Sequence, residues 1–248
     1  MRRLLTILAA GLLVFMSRTA DAQTFTVGHF SKVIVSPYIQ VTFVQGAEES
    51  VTINNIMVDS SKLHVEVQGG TLRLYLDGAR DLPQGWRDYK KHDRQNGQDL
   101  YPHHAVNATV VYKKLHMLSL RGSETFLCKS PIIVKHFTLR AYGDSKITIA
   151  EVHIGSMHTT IYGESSLEIK EGEVDEQHYT CYGDGKINAT TITGDVARLT
   201  AFGEAEFNLN VSERIRITAF GEARLRYKGN PEIVKGINIG GVDLARID

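Results

Sequence analysis

The sequence has little of several features that mark particular protein classes. Only two of its 248 residues are cysteine, and a chain of this size buries enough surface to fold without a disulfide or metal. With five prolines and 22 glycines, it is neither collagen-like nor of low complexity. It contains no Gly-x-Ser-x-Gly, His-Glu-x-x-His or phosphate-binding glycine loop, so the motifs of serine hydrolases, zincins and P-loop enzymes are missing.

An excess of basic charge is also missing. Lysine plus arginine and aspartate plus glutamate number 28 each. Removal of residues 1–22, which are predicted to be a signal peptide, takes away three basic residues and one acidic residue. It leaves 25 against 27, a net charge of −2. This balance excludes a global basic footprint, and we therefore do not expect nucleic acid as a partner.

The first 22 residues have the layout of a secretory signal peptide. Two arginines precede an apolar run of 13 residues, and Ala20-Asp21-Ala22 supplies the small-x-small cleavage pattern. The run is too short to span a bilayer, and no later stretch of 18 apolar residues exists. We therefore expect an exported chain, in the periplasm, at the outer cell surface or outside the cell, with no integral membrane segment after Gln23.

Residues 23–117 are predicted to form an irregular N-terminal β portion. Short runs that alternate or are rich in Val, Ile and Thr are separated by turn signals. The predicted strands are residues 32–35, 39–44, 50–53, 63–67, 71–76 and 106–112. Residues 77–104 interrupt them with a charged excursion around Trp86, and a loop this long is usually functional or mobile. Trp86 is therefore a candidate ligand-binding residue.

From residue 118 to residue 248 the sequence repeats itself. Motifs such as AYGDSKITI and AFGEARLRY surround glycines that recur every 18 to 21 residues. These glycines are Gly122, Gly143, Gly163, Gly183, Gly203 and Gly221. A fixed period near 20 is typical of a solenoid, in which each repeat stacks on its neighbours.

Positions counted from each glycine alternate in polarity. Positions −2, +4 and +6 are apolar or small, whereas position −3 is polar in every repeat. Period-two alternation indicates a strand with one buried face. We expect the glycine and the small residue at +2 to lie on the inward side of a sharp bend. The predicted fold is a right-handed parallel β-helix, a single-stranded solenoid of about 20 residues per turn, continuous with residues 23–117 in one domain.

The repeated bends and the ending Tyr227-Lys228-Gly229-Asn230-Pro231 resemble the putative auto-transporter adhesin, head GIN domain family of secreted bacterial proteins. The opening FSKVIVSPYIQVTFVQG resembles the family's first strands. The resemblance covers about residues 25–239 and implies a β-helix in the envelope or outside the cell, without implying a reaction. The chain departs from the family in its acids at position +1 and in its long 77–104 excursion.

Two outward columns are candidates for function. Position −1 forms an aromatic ladder, with Arg121 as a cation–π cap on Tyr142. Its rings either stack on one another or contact a ligand, and the candidate ligand-binding residues are Tyr142, Tyr162 and Tyr182. Position +1 forms an acidic ladder of Asp144, Glu164, Asp184, Glu204 and Glu222. Three interpretations of this ladder stay open. It is a solvated surface, it binds a cation or a partner, or two of its neighbouring carboxylates act as a glycosidase-like pair.

Mutual repulsion in the acidic ladder is expected to be greatest around Glu204 and Glu206, because two residues after Glu204 stands Glu206, where Asp144 and Asp184 have Lys146 and Lys186. These two residues are the candidate site for weakly bound calcium, at millimolar affinity. No other cofactor is expected. His158 and His178 share position −5, but two ligands do not make a zinc site. His92, His103 and His104 match no metal motif. Cys128 and Cys181 lie three rungs apart, too far for a disulfide.

Two functions are compatible with the sequence. The favoured one is a non-catalytic, adhesin-like binding or structural protein of the bacterial cell envelope, with a surface protein or glycan as partner. The alternative is a polysaccharide-acting enzyme, a lyase or glycoside hydrolase, on a β-helix scaffold. An enzyme would need a non-repeating cluster of acid and base groups, and residues 77–104 are the one region irregular enough to supply it.

Overall fold

A computed structural model describes residues 23–79, 94–95 and 98–248. The predicted signal peptide, Trp86 and His92 lie outside the described residues. Within the described ranges the chain is nearly all β-strand, with one short 3-10 turn at Ser60–Lys62 and no α-helix. No helix in this part of the chain is long and apolar enough to cross a membrane.

Twenty strands follow one another along the described chain. In the N-terminal part they are β1 (Gln23–Thr26), β2 (Lys32–Val35), β3 (Ile39–Gln45), β4 (Ser50–Ile56), β5 (Leu63–Gln68), β6 (Thr71–Leu76), β7 (Arg94–Gln95), β8 (Gln98–Asp99) and β9 (Val106–Tyr112). In the repeats they are β10 (Met117–Gly122), β11 (Thr125–Cys128), β12 (Ile132–Gly143), β13 (Lys146–Ile149), β14 (Val152–Gly163), β15 (Ser166–Ile169), β16 (Gly172–Tyr182), β17 (Lys186–Ala189), β18 (Val196–Asn210), β19 (Arg214–Lys228) and β20 (Glu232–Arg246). All six strands predicted between residues 32 and 112 are present.

The repeats form the predicted β-helix, with about six turns of about 20 residues. One turn, here called a rung, consists of a long strand that leads to the glycine corner and a short strand after it; in the last rungs the two are one continuous strand, β18, β19 or β20. Successive long strands pair in parallel, and so do successive short strands. Tyr142 therefore lies next to Tyr162 and Gly143 next to Gly163. This register places each column of equivalent residues along the solenoid axis.

The N-terminal strands extend the same β-helix in an order that differs from their order in the chain. Strand β2 pairs in parallel with β10 on one side and β6 on the other. Strand β3 pairs in the same way with β11 and β9. The outermost strands β5, β4 and β1 are then added in antiparallel pairs. The first rung in space is therefore formed by β6 and β9, and the excursion is inserted at its corner.

The excursion contains more β-structure than its sequence predicts. Residues 94–95 and 98–99 form a small antiparallel pair, β7 and β8, whereas the sequence predicts a loop without strands. At its ends, Ala79 and Tyr101 are buried. The Tyr101 ring packs edge-on against Tyr38, with the centroids 5.7 Å apart. Both ends of the excursion are therefore packed into the core, and the aromatic ring of Tyr101 anchors one of them.

The inward columns of the repeats form the core as predicted. Every residue at positions −2 and +4 is buried, from Leu120 to Ala219 and from Phe126 to Leu225. Position +6 is buried up to Leu209 and half-buried at Tyr227. Ser119 is an exception at the outward position −3, because it is buried between the rungs of Ile34 and Arg140.

The corner glycines fall into two groups. Gly122, Gly143 and Gly163 are buried, as the sequence predicts, whereas Gly183, Gly203 and Gly221 are half-buried. The sequence placed them against a crowded inner corner. In the structure Gly183 is only half-buried, and its φ is +111°. A Cβ at Gly183 would approach the carbonyl oxygen of Gly163, on the neighbouring rung, to 3.0 Å. At Gly183 the restriction therefore comes from the stacked backbone along the axis and from the positive φ.

The two cysteines are free and buried, as predicted. Cys128 lies in β11 and Cys181 in β16, on rungs separated by two others. Burial raises the pKa of each thiol to about 12. Both sulfurs therefore act as apolar core atoms and are not reactive thiolates at neutral pH.

Candidate functional site

The aromatic ladder at position −1 is a continuous stack of five rings. Its members are Tyr142, Tyr162, Tyr182, Phe202 and Phe220. Successive ring centroids lie 4.8 to 5.0 Å apart, and successive planes are within 3° to 4° of parallel. The predicted stacking is confirmed. Partial burial in the stack raises the pKa of Tyr162, and the flanking tyrosines add to this increase.

The aromatic ladder is capped at one end and followed by an aliphatic residue at the other. The guanidinium carbon of Arg121 lies 6.0 Å from the Tyr142 centroid, which confirms the predicted cation–π cap. At the other end, Ile239 is in register with Phe220. A sugar that stacks on a ring needs a free face, but this ladder leaves the ring edges exposed. Tyr182, Phe202 and Phe220 are 38%, 37% and 36% exposed, so a partner would contact their edges.

Beside the aromatic ladder lies a surface that the sequence analysis did not identify. Residues at positions −5, −3 and −1 point to the same side of a strand. In each of five rungs these three positions together hold one basic residue, one threonine and one aromatic residue. We call this surface the basic–threonine–aromatic face. Its rungs are Thr138, Arg140 and Tyr142; His158, Thr160 and Tyr162; His178, Thr180 and Tyr182; Arg198, Thr200 and Phe202; and Arg216, Thr218 and Phe220. The recurring sequences HTTIY, HYTCY, RLTAF and RITAF carry its signal.

The basic residues of this face are accessible. Arg140, Arg198 and Arg216 are exposed, and no acidic group in the described ranges lies within ion-pair distance of their guanidinium groups. The rings of His158 and His178 stack with centroids 4.4 Å apart. Burial lowers the pKa of His158, and the nearby His178 lowers it further.

One acid borders this face, at position −7. The Oε2 atom of Glu176 lies 3.4 Å from Nε2 of His178, and the carboxylate partly opposes the decrease in the pKa of His158. The three columns themselves contain no acidic residue. The face is therefore positively charged at its arginines and gains charge when its histidines are protonated.

The acidic ladder lies on the other side of the glycine corner. All five of its carboxylates are exposed, and Asp184, Glu204 and Glu222 border a shallow depression of about 250 Å³. Glu206, one of the two candidate calcium residues, has basic neighbours. Glu206 lies in register between Lys186 and Arg224 on the two adjacent rungs, and its Oε1 accepts a hydrogen bond of 3.0 Å from Asn208. Both basic residues are at position +3, the same position as Glu206, and can offset part of the charge of the ladder.

The described residues contain no cluster that supports a metal site. No group of three histidine, cysteine or acidic side chains in those ranges has the geometry to hold an ion. Glu204 and Glu206 line the same depression, so weak calcium binding there stays a prediction. His158 and His178 are adjacent as expected, but their rings stack. Trp86 lies outside the described residues.

A second surface depression lies at the other end of the long strands. It has a volume of about 700 Å³ and is lined by residues that include His116, Lys135, His153 and the exposed Ile133. His153 contacts Glu151 at 2.9 Å and Glu173 at 3.4 Å. These hydrogen bonds, first that to Glu151, raise the pKa of His153. Its charge is therefore matched within the protein, unlike that of the arginines on the basic–threonine–aromatic face.

Comparison with known proteins gives a family and a fold. The family model described as putative auto-transporter adhesin, head GIN domain matches residues 29–231. No curated protein matches the chain.

Three crystal structures share the fold, and their sequence identities are low enough that they show the fold alone. A putative adhesin from Bacteroides fragilis NCTC 9343 has a TM-score of 0.75 at 15% identity, over 91% of this chain and 96% of that one. A putative lipid binding protein from Parabacteroides distasonis ATCC 8503 has a TM-score of 0.67 at 18% identity, over 92% and 96%. A putative adhesin from Parabacteroides merdae ATCC 43184 has a TM-score of 0.62 at 15% identity, over 91% and 95%.

Proposed function

The chain belongs to the putative auto-transporter adhesin, head GIN domain family, as its bends and first strands predicted, and we propose that it is a non-catalytic, adhesin-like binding protein of the bacterial cell envelope. The signal-peptide pattern of residues 1–22 supports export. The adhesin descriptions of the family and of two structural neighbours support a role in surface binding.

The observation that carries this proposal is the regularity of the basic–threonine–aromatic face. It repeats one set of three side chains over five rungs in unbroken register. Catalysis uses a single acid–base pair held in distinct surroundings, so that the two pKa values differ. A partner that extends along the solenoid instead gains a contact at each rung. Repetition of this kind favours binding of an extended partner.

The test is adhesion measured together with turnover. Residues 23–248, labelled with a fluorophore, are incubated with intact bacterial cells, and the retained fluorescence is measured after washing. The variant Tyr182→Ser/Phe202→Ser removes two aromatic rings whose edges are exposed. The control Ile133→Ser/Met57→Ser removes exposed apolar side chains elsewhere. We expect retention that the first variant reduces and the control does not.

Two further measurements decide between classes of function. Incubation with polysaccharides, followed by an assay for new reducing ends and for unsaturated products, detects a hydrolase or lyase. Lipid vesicles are included because one structural neighbour is described as a putative lipid binding protein. Adhesion without product supports the proposal. Turnover of any polysaccharide, or retention on vesicles but not on cells, contradicts it.

A further inference from the structure

We propose that the basic–threonine–aromatic face binds an extended acidic polysaccharide that lies along the solenoid axis. This inference rests on the proposed function and adds the chemical class of the partner and the residues that bind it. It assigns the arginines to the ligand's carboxylate or sulfate groups, the threonines to its hydroxyl groups and the aromatic edges to its apolar surface.

The first argument is charge without an internal partner. Arg140, Arg198 and Arg216 are exposed, and in the described part of the chain no carboxylate pairs with them. By contrast, Arg214 donates to Glu232 at 2.9 Å and Arg226 to Asp243 at 3.0 Å. The planar guanidinium group matches a carboxylate or sulfate with two parallel hydrogen bonds. The three arginines of the face are thus available to an external anion.

The second argument is the spacing of the charges. Successive rungs are about 4.8 Å apart, the distance between paired strands. The basic column runs through His158, His178, Arg198 and Arg216 in register. A small anion would occupy one rung and leave the others unused. A polymer that carries an anion on each of its units can use several rungs together, and the resulting multivalency increases its affinity.

The third argument is the hydroxyl column between the charges and the rings. Thr160, Thr180, Thr200 and Thr218 are half-buried and aligned across four rungs. Each hydroxyl is both a donor and an acceptor, which suits the hydroxyl groups of a sugar. Because threonine is stiff at χ1, the column is held in place before the ligand arrives, so little side-chain entropy is lost on binding.

The fourth argument is the acidic ladder across the glycine corner. It presents Asp184, Glu204 and Glu222 to solvent on the neighbouring side of the solenoid. A polyanion is repelled from that side and attracted to the basic–threonine–aromatic face, so the charge pattern selects one side of the solenoid. An acidic protein would satisfy the arginines equally well, but it would not use the aligned threonine hydroxyls. Single-stranded nucleic acid binds by stacking its bases on free aromatic faces, whereas the ring faces here are stacked on one another.

The experiment measures binding of polygalacturonate to residues 23–248 at low salt, by biolayer interferometry. Fully methyl-esterified polygalacturonate has the same backbone without the charge and is the ligand control. The variant Arg198→Gln/Arg216→Gln is compared with Lys146→Gln/Lys186→Gln, which removes the same charge from the other side of the corner. We expect the arginine variant to lose about tenfold or more in affinity, as for lost charge-assisted hydrogen bonds, and the lysine variant to change by less than about twofold.

Each outcome has a defined meaning, provided that thermal melting shows both variants to be folded. Binding of the acidic polymer alone, lost in the arginine variant only, supports the proposal. Equal losses in the two variants, equal binding of the ester, or tighter binding of poly-glutamate or single-stranded DNA overturns it. If labelled protein adheres to cells but no acidic polysaccharide binds, the ligand class is wrong while the proposed adhesion stands.

Discussion

Gly163 and Gly183 are stacked so closely that a Cβ on Gly183 would come within 3.0 Å of the Gly163 carbonyl oxygen. Gly183 also has a φ of +111°, a conformation that a branched side chain adopts only with strain. The same stacking recurs at Gly221, where a Cβ would clash with the Gly203 carbonyl oxygen. The glycine corner therefore fixes the register of the aromatic and acidic ladders on either side of it.

Replacing Gly183 with valine is expected to destabilise the protein by about 3 kcal/mol or more, since backbone strain and overpacking each cost about 1–3 kcal/mol. Thr180→Val, at an outward position of the same strand, should cost less than about 1 kcal/mol. Denaturant unfolding of both variants measures the difference. Equal midpoints would show that the corner does not restrict the backbone.

The cysteines are expected to remain reduced and unreactive in the folded protein. Burial raises the pKa of Cys128 and of Cys181 to about 12, so almost no thiolate exists at pH 8. Ellman's reagent should label neither thiol in buffer and both in guanidinium chloride. A Cys128–Cys181 disulfide found by non-reducing mass spectrometry would contradict the separation of their rungs.

Neutralising the two acids near the shallow depression is expected to have opposite effects. Glu204 is next to Glu222 on the adjacent rung, whereas Glu206 lies between Lys186 and Arg224. Glu204→Gln should therefore raise the melting temperature and Glu206→Gln should lower it, each by less than about 1 kcal/mol of stability. Thermal melting at low salt measures both shifts, and shifts of the same sign would contradict this arrangement.

The predicted weak calcium binding is tested on the same residues. Calcium at millimolar concentration is expected to raise the melting temperature slightly, and Glu204→Gln/Glu206→Gln to abolish the rise. Magnesium, which demands stricter octahedral geometry, is the control. If calcium has no effect while the double variant melts higher than the parent, the carboxylates only repel each other and the hypothesis should be abandoned.

Two histidines are expected to influence stability in opposite directions with pH. Burial and His178 lower the pKa of His158 below 6.5, although Glu176 opposes this. Its neutral form is therefore favoured by folding, and its contribution is lost as the pH falls below 6.5. The pKa of His153 is raised by Glu151 and Glu173, so its contribution is present below 6.5 and is lost as the pH rises through the higher folded value.

Melting temperatures between pH 5 and pH 8 test these signs. His158→Gln should reduce the loss of stability on acidification, whereas His153→Gln should increase it. Both substitutions replace a surface imidazole with a neutral polar group, so each serves as the other's control. Identical pH profiles for the two variants would show that the pKa values of His158 and His153 are not shifted in opposite directions.

The sequence was sufficient to predict the strands and the inward columns, because period-two alternation and a fixed repeat determine which face is buried. It did not predict that β6 and β9 form the outermost parallel rung beyond β2 and β3. Alternation reports the face of a strand but not its neighbour, and the excursion separates the two halves of that rung in the chain. The neighbours were therefore determined only by the structure.

The sequence analysis did not identify the basic–threonine–aromatic face, because its basic column contains two residue types, histidine and arginine. Position −5 is histidine in two rungs and arginine in two others. In the rung of Tyr142 the basic residue is Arg140, at the position where the other rungs have threonine. Aligning the repeats by charge would have revealed the face. The same alignment places Lys186 and Arg224 beside Glu206.

The most direct test of this account is hydroxyl-radical footprinting of residues 23–248 when bound to intact cells and when free. If the partner lies along the basic–threonine–aromatic face, oxidation of Tyr182, Phe202 and Phe220 should fall on binding, while oxidation of Met57, which is 53% exposed near the N-terminal strands, should not change. Equal oxidation of the three aromatic rings in the bound and free protein, with protection of Met57, would contradict the account.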